Sequence, residues 1–539
     1  MRRPDPRSSV AIPVPRAVAR RLAVVFLLLG TLLRPAVAQD DPGDWVSLVV
    51  LHTNDVHGAV LPRSPALAQL EATEDVGGFA ALAAVVKAER AAAAARGAHV
   101  LLVDGGDVWR GTPEGDLTKG DLIVEAFGRL GYDAVALGNH EFDLGLSNAV
   151  RLAKAAPFPW VSANVTEQAT GATPSWLRTH VVKEVGGLRV ALVGMTTVET
   201  PRIVVGGDAL GLAFAPPAEA AAAQAKALAT TSDLVIFVTH LGPQPDIEIL
   251  KAVPTCPLVV GGHSHTRLAK PIDARGDGTG WVVQAGTACI VVGKVTLDVH
   301  RTTKAVRLRT SELIPLIPSK VGRDAETEAF LAGRLDAIAE LKALKSVVGT
   351  LTGDLPRVGA NPRDTSPAGH FMADATRAAA GADVGLANRG GIRVVLPAGP
   401  VTRRDLFLLM PFDNTVVTQT LTGAELREIV GFSLKTGLSG RISPLEVSGL
   451  TARFRIVERE GKQAVEWLAF DVGGRPLDDA KAYRVALNSF LAGGGDGYKQ
   501  LVKPGAKDTG VLVRDVLGDA LGKAGTYAPD RASRLVEEK

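Results

Sequence analysis

Cysteine is nearly absent: two residues, Cys256 and Cys289, in a chain of 539. That excludes a disulfide framework. It leaves two readings, one disulfide formed in an oxidising compartment or two small buried hydrophobes. Aromatic residues are scarce as well, at 5%, so any that stand in loops need a reason. Neither sign of charge dominates, with 60 lysines and arginines against 57 aspartates and glutamates. A basic surface for a nucleic acid polymer is therefore not expected. Long apolar runs are missing too. The one candidate, residues 22–33, falls short of the roughly 20 residues that cross a bilayer as a helix. The polar C-terminus offers no lipid-anchor signal, so no stable membrane anchor is expected.

That apolar run reads instead as the centre of a leader. Arg16, Arg20 and Arg21 precede it, and Ala36-Val37-Ala38 supplies the small-x-small pattern of a cleavage site. Residues 1–38 are thus expected to be a signal peptide, and the mature protein periplasmic or secreted. The leader holds seven arginines and one aspartate, so its removal turns the formal net charge of +3 into a slight acidic excess.

The remainder is too long for a single core, and its 46% hydrophobic content is that of an ordinary globular protein. From Ser47 the pattern alternates, with β-prone runs at 48–52, 99–103, 134–137, 188–193, 234–239, 258–261 and 281–284. Alanine-rich helices fall between them, at 79–95 and 218–230. The first ends on Arg96-Gly97, a glycine C-cap. This predicts an α/β domain over 39–322, a linking helix over 323–346, and an α+β domain of shorter elements over 347–539.

Polar residues gather where the first domain's strands stop. Asp55 and His57 follow the first strand in Leu51-His52-Thr53-Asn54-Asp55-Val56-His57-Gly58. Asp107 follows the second in Gly105-Gly106-Asp107, where glycines let the backbone curl inward. The third ends in Gly138-Asn139-His140-Glu141-Phe142-Asp143. Two later strands end in Thr239-His240 and in Gly261-Gly262-His263-Ser264-His265. Half of the ten histidines thus lie at five turns, on the rim where open α/β sheets do chemistry. Imidazoles mixed with carboxylates, without thiolates, suit zinc, manganese, iron or cobalt rather than calcium. The donors exceed the need of one tetrahedral ion. Two ions sharing a bridging aspartate fit the count, and such pairs, about 3.5–4 Å apart, stabilise the attacking and leaving oxygens of an in-line displacement. His52 reads as structural, Asp104 and Glu141 as turn residues, and Asp116 and Asp121 as helix-entry or solvated carboxylates.

The ordered set of five motifs resembles that of calcineurin-like metallophosphoesterases, and its first and third members resemble the 5′-nucleotidase family. The resemblance implies two divalent ions, zinc, manganese or cobalt. One is held by Asp55, His57 and His265, the other by Asn139, His240 and His263, with Asp107 bridging. It also implies a catalytic dyad of His140 and Asp143. A histidine steadied by a carboxylate can stay cationic and stabilise charge that develops on a phosphate.

In the second half, Asn388-Arg389-Gly390-Gly391-Ile392-Arg393 follows a strand. Phe412 stands in Pro411-Phe412-Asp413-Asn414, and Phe490, Asp496 and Tyr498 mark a glycine-rich loop. These segments are similar to the nucleotide-binding domain of 5′-nucleotidases. The resemblance implies that Phe412 and Phe490 stack on the base, that Arg363 and Arg393 reach phosphate, and that Asn388 belongs to the same site. It gives Asp496 the ribose hydroxyls and Asn414 the base edge. Departures from the family pattern fall at Arg389, where a glycine is usual, and at His370, which replaces an asparagine; both bear on substrate preference.

The expected substrate is a nucleoside 5′-monophosphate lying in a cleft between the halves, with nucleotide sugars and 2′,3′-cyclic nucleotides as further candidates. Two alternatives remain: a thiosulfohydrolase-like sulfur-ester hydrolase on the same scaffold, and a non-catalytic nucleotide-binding surface protein. The paired loop aromatics argue against the first and the complete donor set against the second. N-terminal sequencing of exported protein should begin at Gln39; an intact leader would refute the address.

Overall fold

The computed structural model describes residues 42–204, 206–359, 363–436, 444–459 and 462–538. The expected leader, 1–38, lies outside them. Two six-stranded sheets face each other in the N-terminal half. In the first, Trp45–Thr53, His99–Asp104, Ala134–Ala136 and Trp160–Val161 run parallel, and the hairpin of Val291–His300 and Val306–Pro315 completes it. In the second, Leu188–Thr196, Leu234–His240, Leu258–Val260 and Trp281–Val283 run parallel, with antiparallel strands at both edges.

Alternation along each strand explains the layering. Leu48, Val50, Leu101 and Val103 meet Leu192, Ile236 and Val238 in the core between the sheets. Val49, Leu51 and Leu102 turn the other way, toward Phe79, Leu82 and Phe127 of the helices Phe79–Ala95 and Asp121–Leu130. On the far side Val193, Phe237 and Val259 pack against Ile249 and Leu250 of Pro243–Ala252. Strands buried on both faces read as continuous apolar runs, which is why they stand out in the sequence. The helix Phe79–Ala95 runs into Gly97, whose φ of 68° is left-handed, as expected of a glycine terminator. Cys256 and Cys289 are both free and buried, the small-hydrophobe alternative.

The link between the halves departs from expectation. Two helices, Ala325–Asp336 and Ala339–Ala343, replace one, because Ile338 between them is extended at φ −100° and ψ 99°. A β-branched side chain is stiff in a helix and at ease in extended backbone. Asp324 caps the first by accepting from the Thr327 amide at 2.9 Å.

The second half is α+β. A five-stranded sheet has Val384–Asn388 beside Ala482–Asn488, and smaller sheets of four and three strands surround it. Helix Pro367–Ala380 is capped by Ser366, which accepts from Gly369 N at 3.0 Å, and ends at Gly381 with φ 57°. Residues Val46–Lys539 form one compact unit. Among the described residues no helix is long and apolar enough to cross a membrane.

His52 sits inside this fold, fully surrounded, and burial lowers its pKa to about 4, so the ring is neutral. It packs against Gly293, where an added Cβ would overlap the imidazole. Its contribution is therefore shape. Gly293→Ala should destabilise the protein by about 1–3 kcal/mol through overpacking, read as a lower urea midpoint with an unchanged slope.

Candidate active site

The ends of the parallel strands place two donor groups side by side: Asp55, His57 and His265 in one, Asp107, His240 and His263 in the other. Within each, ligand atoms lie within 4.8 Å of one another. His57 Nε2 is 3.0 Å from His265 Nε2, and His265 Nε2 is 3.4 Å from Asp55 Oδ1. His240 Nε2 is 3.1 Å from both Asp107 Oδ2 and Asn139 Oδ1. Asp107 Oδ2 is also 3.9 Å from His57 Nε2, so its carboxylate stands between the groups.

The backbone aims these side chains at a conformational cost. Asp55, His57, Asp107, His263 and His265 all have left-handed φ, between 48° and 76°. Non-glycine residues adopt that region rarely, and clusters of them mark functional sites. Second contacts fix the rings. His57 Nδ1 donates to the Arg110 carbonyl and His240 Nδ1 to the Gly105 carbonyl, both at 2.7 Å, which turns each Nε2 inward. Asn54 Nδ2 donates to Asp55 Oδ2 at 2.7 Å.

The electrostatics suit cations. Burial lowers the pKa of His57, His263 and His265, that of His263 to about 3, and keeps these rings neutral. Burial would raise the Asp55 carboxyl, but His265 beside it outweighs that and holds it at about 2. Burial alone would lower His240, whereas the Asp107 carboxylate carries it up to about 10. Two buried carboxylates, with imidazole nitrogens turned in upon them, call for positive charge between them. The donors thus fit divalent metal ions.

Glu141 holds the turn as expected of it. It accepts from the amides of Asp107, Val108 and Gly138 at 3.1, 2.9 and 2.8 Å. Asp104 likewise accepts from Thr53 and from the Gly106 amide. Asp121 pairs with Arg151 at the surface. Asp116 stands in the first turn of the helix Pro113–Leu117, in keeping with helix entry, but is not solvated. It is tucked 3.4 Å from Arg110, and burial lifts its pKa to about 7.

His140 Nδ1 donates to Asp143 Oδ2 at 2.8 Å, while its Nε2 lies 3.9 Å from Asp107 Oδ2. Burial opposes the charged ring, but Asp143 and Asp107 outweigh it and raise the pKa. Phe412 stacks on this imidazole with centroids 5.8 Å apart and planes at 26°. A residue of the second half thus touches the first half's rim.

His140, Asp143, Asp107, Asn139, His263 and His265 line a cavity of about 530 Å³ together with Asn388, Arg393, Phe412, Asn414, Phe490 and Asp496. Asp496 accepts from Asn388 Nδ2 at 2.8 Å and is itself left-handed at φ 52°. A Cβ at Gly495 would run into the Phe490 ring, so glycine there leaves room for it.

Arg363 is not among the lining residues. Its Nη1 makes two 2.7 Å bonds to Glu537 and its Nε a longer one to the Leu434 carbonyl, which direct the guanidinium to those partners. Arg357 lines the cavity instead. It stands outside any motif, so sequence reasoning passed over it. Arg110 was missed too, although it follows Asp107 by three residues. It is buried and lies 3.7 Å from Asp143 and 3.6 Å from Asp413. Tyr498, which brackets Asp496 in the sequence, is a fully buried core residue. Neither Arg389 nor His370 reaches the cavity. Arg389 bonds to buried Glu446 at 2.7 Å, and His370 to Thr365 at 2.6 Å.

Residues 48–267 match the calcineurin-like phosphoesterase family and residues 347–503 the 5′-nucleotidase C-terminal domain. The "Silent protein UshA(0)" of Salmonella typhimurium is 30% identical, over 93% of this chain and 95% of its own. The chain belongs to the 5′-nucleotidase family. A 5′-nucleotidase of Vibrio cholerae is 28% identical over 93% of this chain and 94% of its own. The crystal structure of a 5′-nucleotidase precursor from Thermus thermophilus superimposes with a TM-score of 0.80, at 29% identity, over 91% of this chain and 99% of its own. As a 5′-nucleotidase family member it is a metal-dependent phosphoric monoester hydrolase, with two residue groups able to hold divalent ions.

Asp107→Ala should lower bound metal, measured by elemental analysis. His140→Ala should keep its metal while turnover falls by about 10²–10³, the loss typical of one preorganised charge partner. Metal lost in proportion to activity would make His140 a ligand.

Proposed function

We propose that this enzyme is an exported phosphohydrolase with a dinuclear metal centre. It cleaves nucleoside 5′-monophosphates to nucleoside and phosphate, and nucleotide sugars or 2′,3′-cyclic nucleotides are further candidates. The observation that carries the reading is the shared cavity. Donor groups and the His140–Asp143 pair form one wall, while Phe412, Phe490, Asn414 and Asp496 form the other. Residues 39–322 then carry the chemistry, and 347–539 recognise the nucleoside.

Asp55, His57 and His265 would hold one divalent cation and Asn139, His240 and His263 another, with Asp107 near both, and the ions would supply Lewis acidity toward phosphoryl oxygens. The chain does the rest. Arg393 and Arg357 orient the phosphate. His140, kept protonated by Asp143, stabilises negative charge as the ester bond breaks. Phe412 and Phe490 hold the base by stacking, worth about 1–3 kcal/mol per base and tolerant of its identity. Asp496, steadied by Asn388, takes the ribose hydroxyls, and Asn414 meets the base edge. Export rests on the leader, with cleavage after Ala38.

Phosphate release from adenosine monophosphate should vanish with chelator and return with manganese, cobalt or zinc. Phe412→Ala combined with Phe490→Ala should raise KM for adenosine monophosphate tenfold or more, while hydrolysis of para-nitrophenyl phosphate survives. Equal loss of both substrates would make the rings structural and sink the reading.

A further inference from the structure

A second cavity, of about 350 Å³, adjoins the first and shares His265, Arg357 and Arg393 with it. His57 also forms part of its wall. Arg63 and Arg267 bring the arginines lining it to four. Among the described residues none of the four guanidiniums forms an ion pair with a carboxylate, although Asp107, Asp55, Asp143 and Asp496 act on Arg393 from further off. The Arg63 side chain makes no hydrogen bond or ion pair among the described residues. Arg267, at the exposed rim, reaches only the carbonyls of Gln69 and Ala68, each at a long 3.4 Å. Arg357 donates to the Arg393 carbonyl at 3.3 Å, and Arg393 to His57 Nε2 at 3.1 Å. The carboxylate nearest in effect to Arg63 is Glu114, and Arg404 already engages it with both terminal nitrogens.

Surface arginines are commonly unpaired in water, but these are not all in water. Burial first, then Arg404 beside Arg63 and Arg393 with Arg389 beside Arg357, lower the pKa of Arg63 and Arg357 to about 10. Such groups are stable together when an anion joins them. On the nucleotidase reading the reacting phosphate lies at the donor groups in the first cavity, whose lining includes neither Arg63 nor Arg267.

We propose that Arg63 and Arg267, with Arg357 and Arg393 at the shared wall, form a second oxyanion subsite beyond the reacting phosphate. It holds a negatively charged group attached to that phosphate's far side. The inference rests on the nucleotidase reading and narrows its substrate class to nucleotides with an acidic extension of the sugar-acid kind. Free orthophosphate offers the same chemistry, so the test separates the two sources.

The metal-loaded full chain is compared with Arg63→Met/Arg267→Met and with Arg63→Lys/Arg267→Lys on three substrates. These are a nucleoside monophosphate, a nucleoside diphosphate-linked neutral hexose, and the corresponding hexuronic acid. The methionine pair should raise KM for the uronic acid substrate tenfold or more, and change KM for the other two less than twofold. The lysine pair should recover most of the difference. A rise confined to the orthophosphate inhibition constant assigns the subsite to free phosphate and overturns the substrate assignment. Three KM values that move together, or not at all with an unchanged inhibition constant, overturn the subsite itself. Should the wild type turn over none of the three nucleotides, the nucleotidase reading fails. Orthophosphate inhibition of para-nitrophenyl phosphate hydrolysis then decides the subsite on its own.

Discussion

Bare backbone is the condition on which the site depends. The two sheets bring their strand ends together because glycines stand where they meet. A Cβ at Gly105 would lie 2.8 Å from the Gly261 carbonyl oxygen, and one at Gly262 would lie 2.5 Å from that of Gly105. Gly106 is as tight against the Gly138 amide, at 2.9 Å. A methyl group at any of these turns would push apart the loops that carry Asp107, Asn139, His263 and His265. The spacing of the donor atoms is therefore set by main chain packing on main chain, before any side chain is considered.

Left-handed backbone at five donor residues is the second consequence of that crowding. The surroundings hold it in place. Asp55 N bonds to the Gly106 carbonyl at 2.9 Å, His57 N to that of Asp107 at 3.0 Å, and the Asp55 carbonyl receives Ala288 N at 2.7 Å. Asp55, His57 and Asp107 are each tied in this way to another loop of the site. Backbone in sparsely populated regions persists only where neighbours over-determine it, and here the neighbours are the other ligand loops.

Much of this was legible in the residues. Strands buried on both faces give unbroken apolar runs, and the polar residues that end them can only sit on the rim. His57, Asp107, Asn139 and His240 thus came out of pattern alone. What hid were contacts made across long separations. Arg363 stands in a stretch matching the family pattern, but Glu537, 174 positions away, takes its guanidinium. Arg357 has no motif around it, and only the fold brings it to the cavity. The break at Ile338 was hidden as well, since leucine and alanine keep helical spacing across it. Tyr498 looked like a loop aromatic because its short turns are glycine-rich, yet its ring fills the core.

Arg110 joins three parts of the molecule that chemistry has reason to keep in step. Its carbonyl fixes the His57 ring, while its guanidinium faces Asp143, the partner of His140, and Asp413 from the second half. Phe412, next to Asp413, lies on His140 itself. Any parting of the halves would therefore change the charge around the Asp143 carboxylate and uncover the His140 ring in a single stroke. The proton on His140 is best shielded from solvent only when the halves are together. The seam between the halves and the surroundings of the His140 proton are in this way one and the same contact.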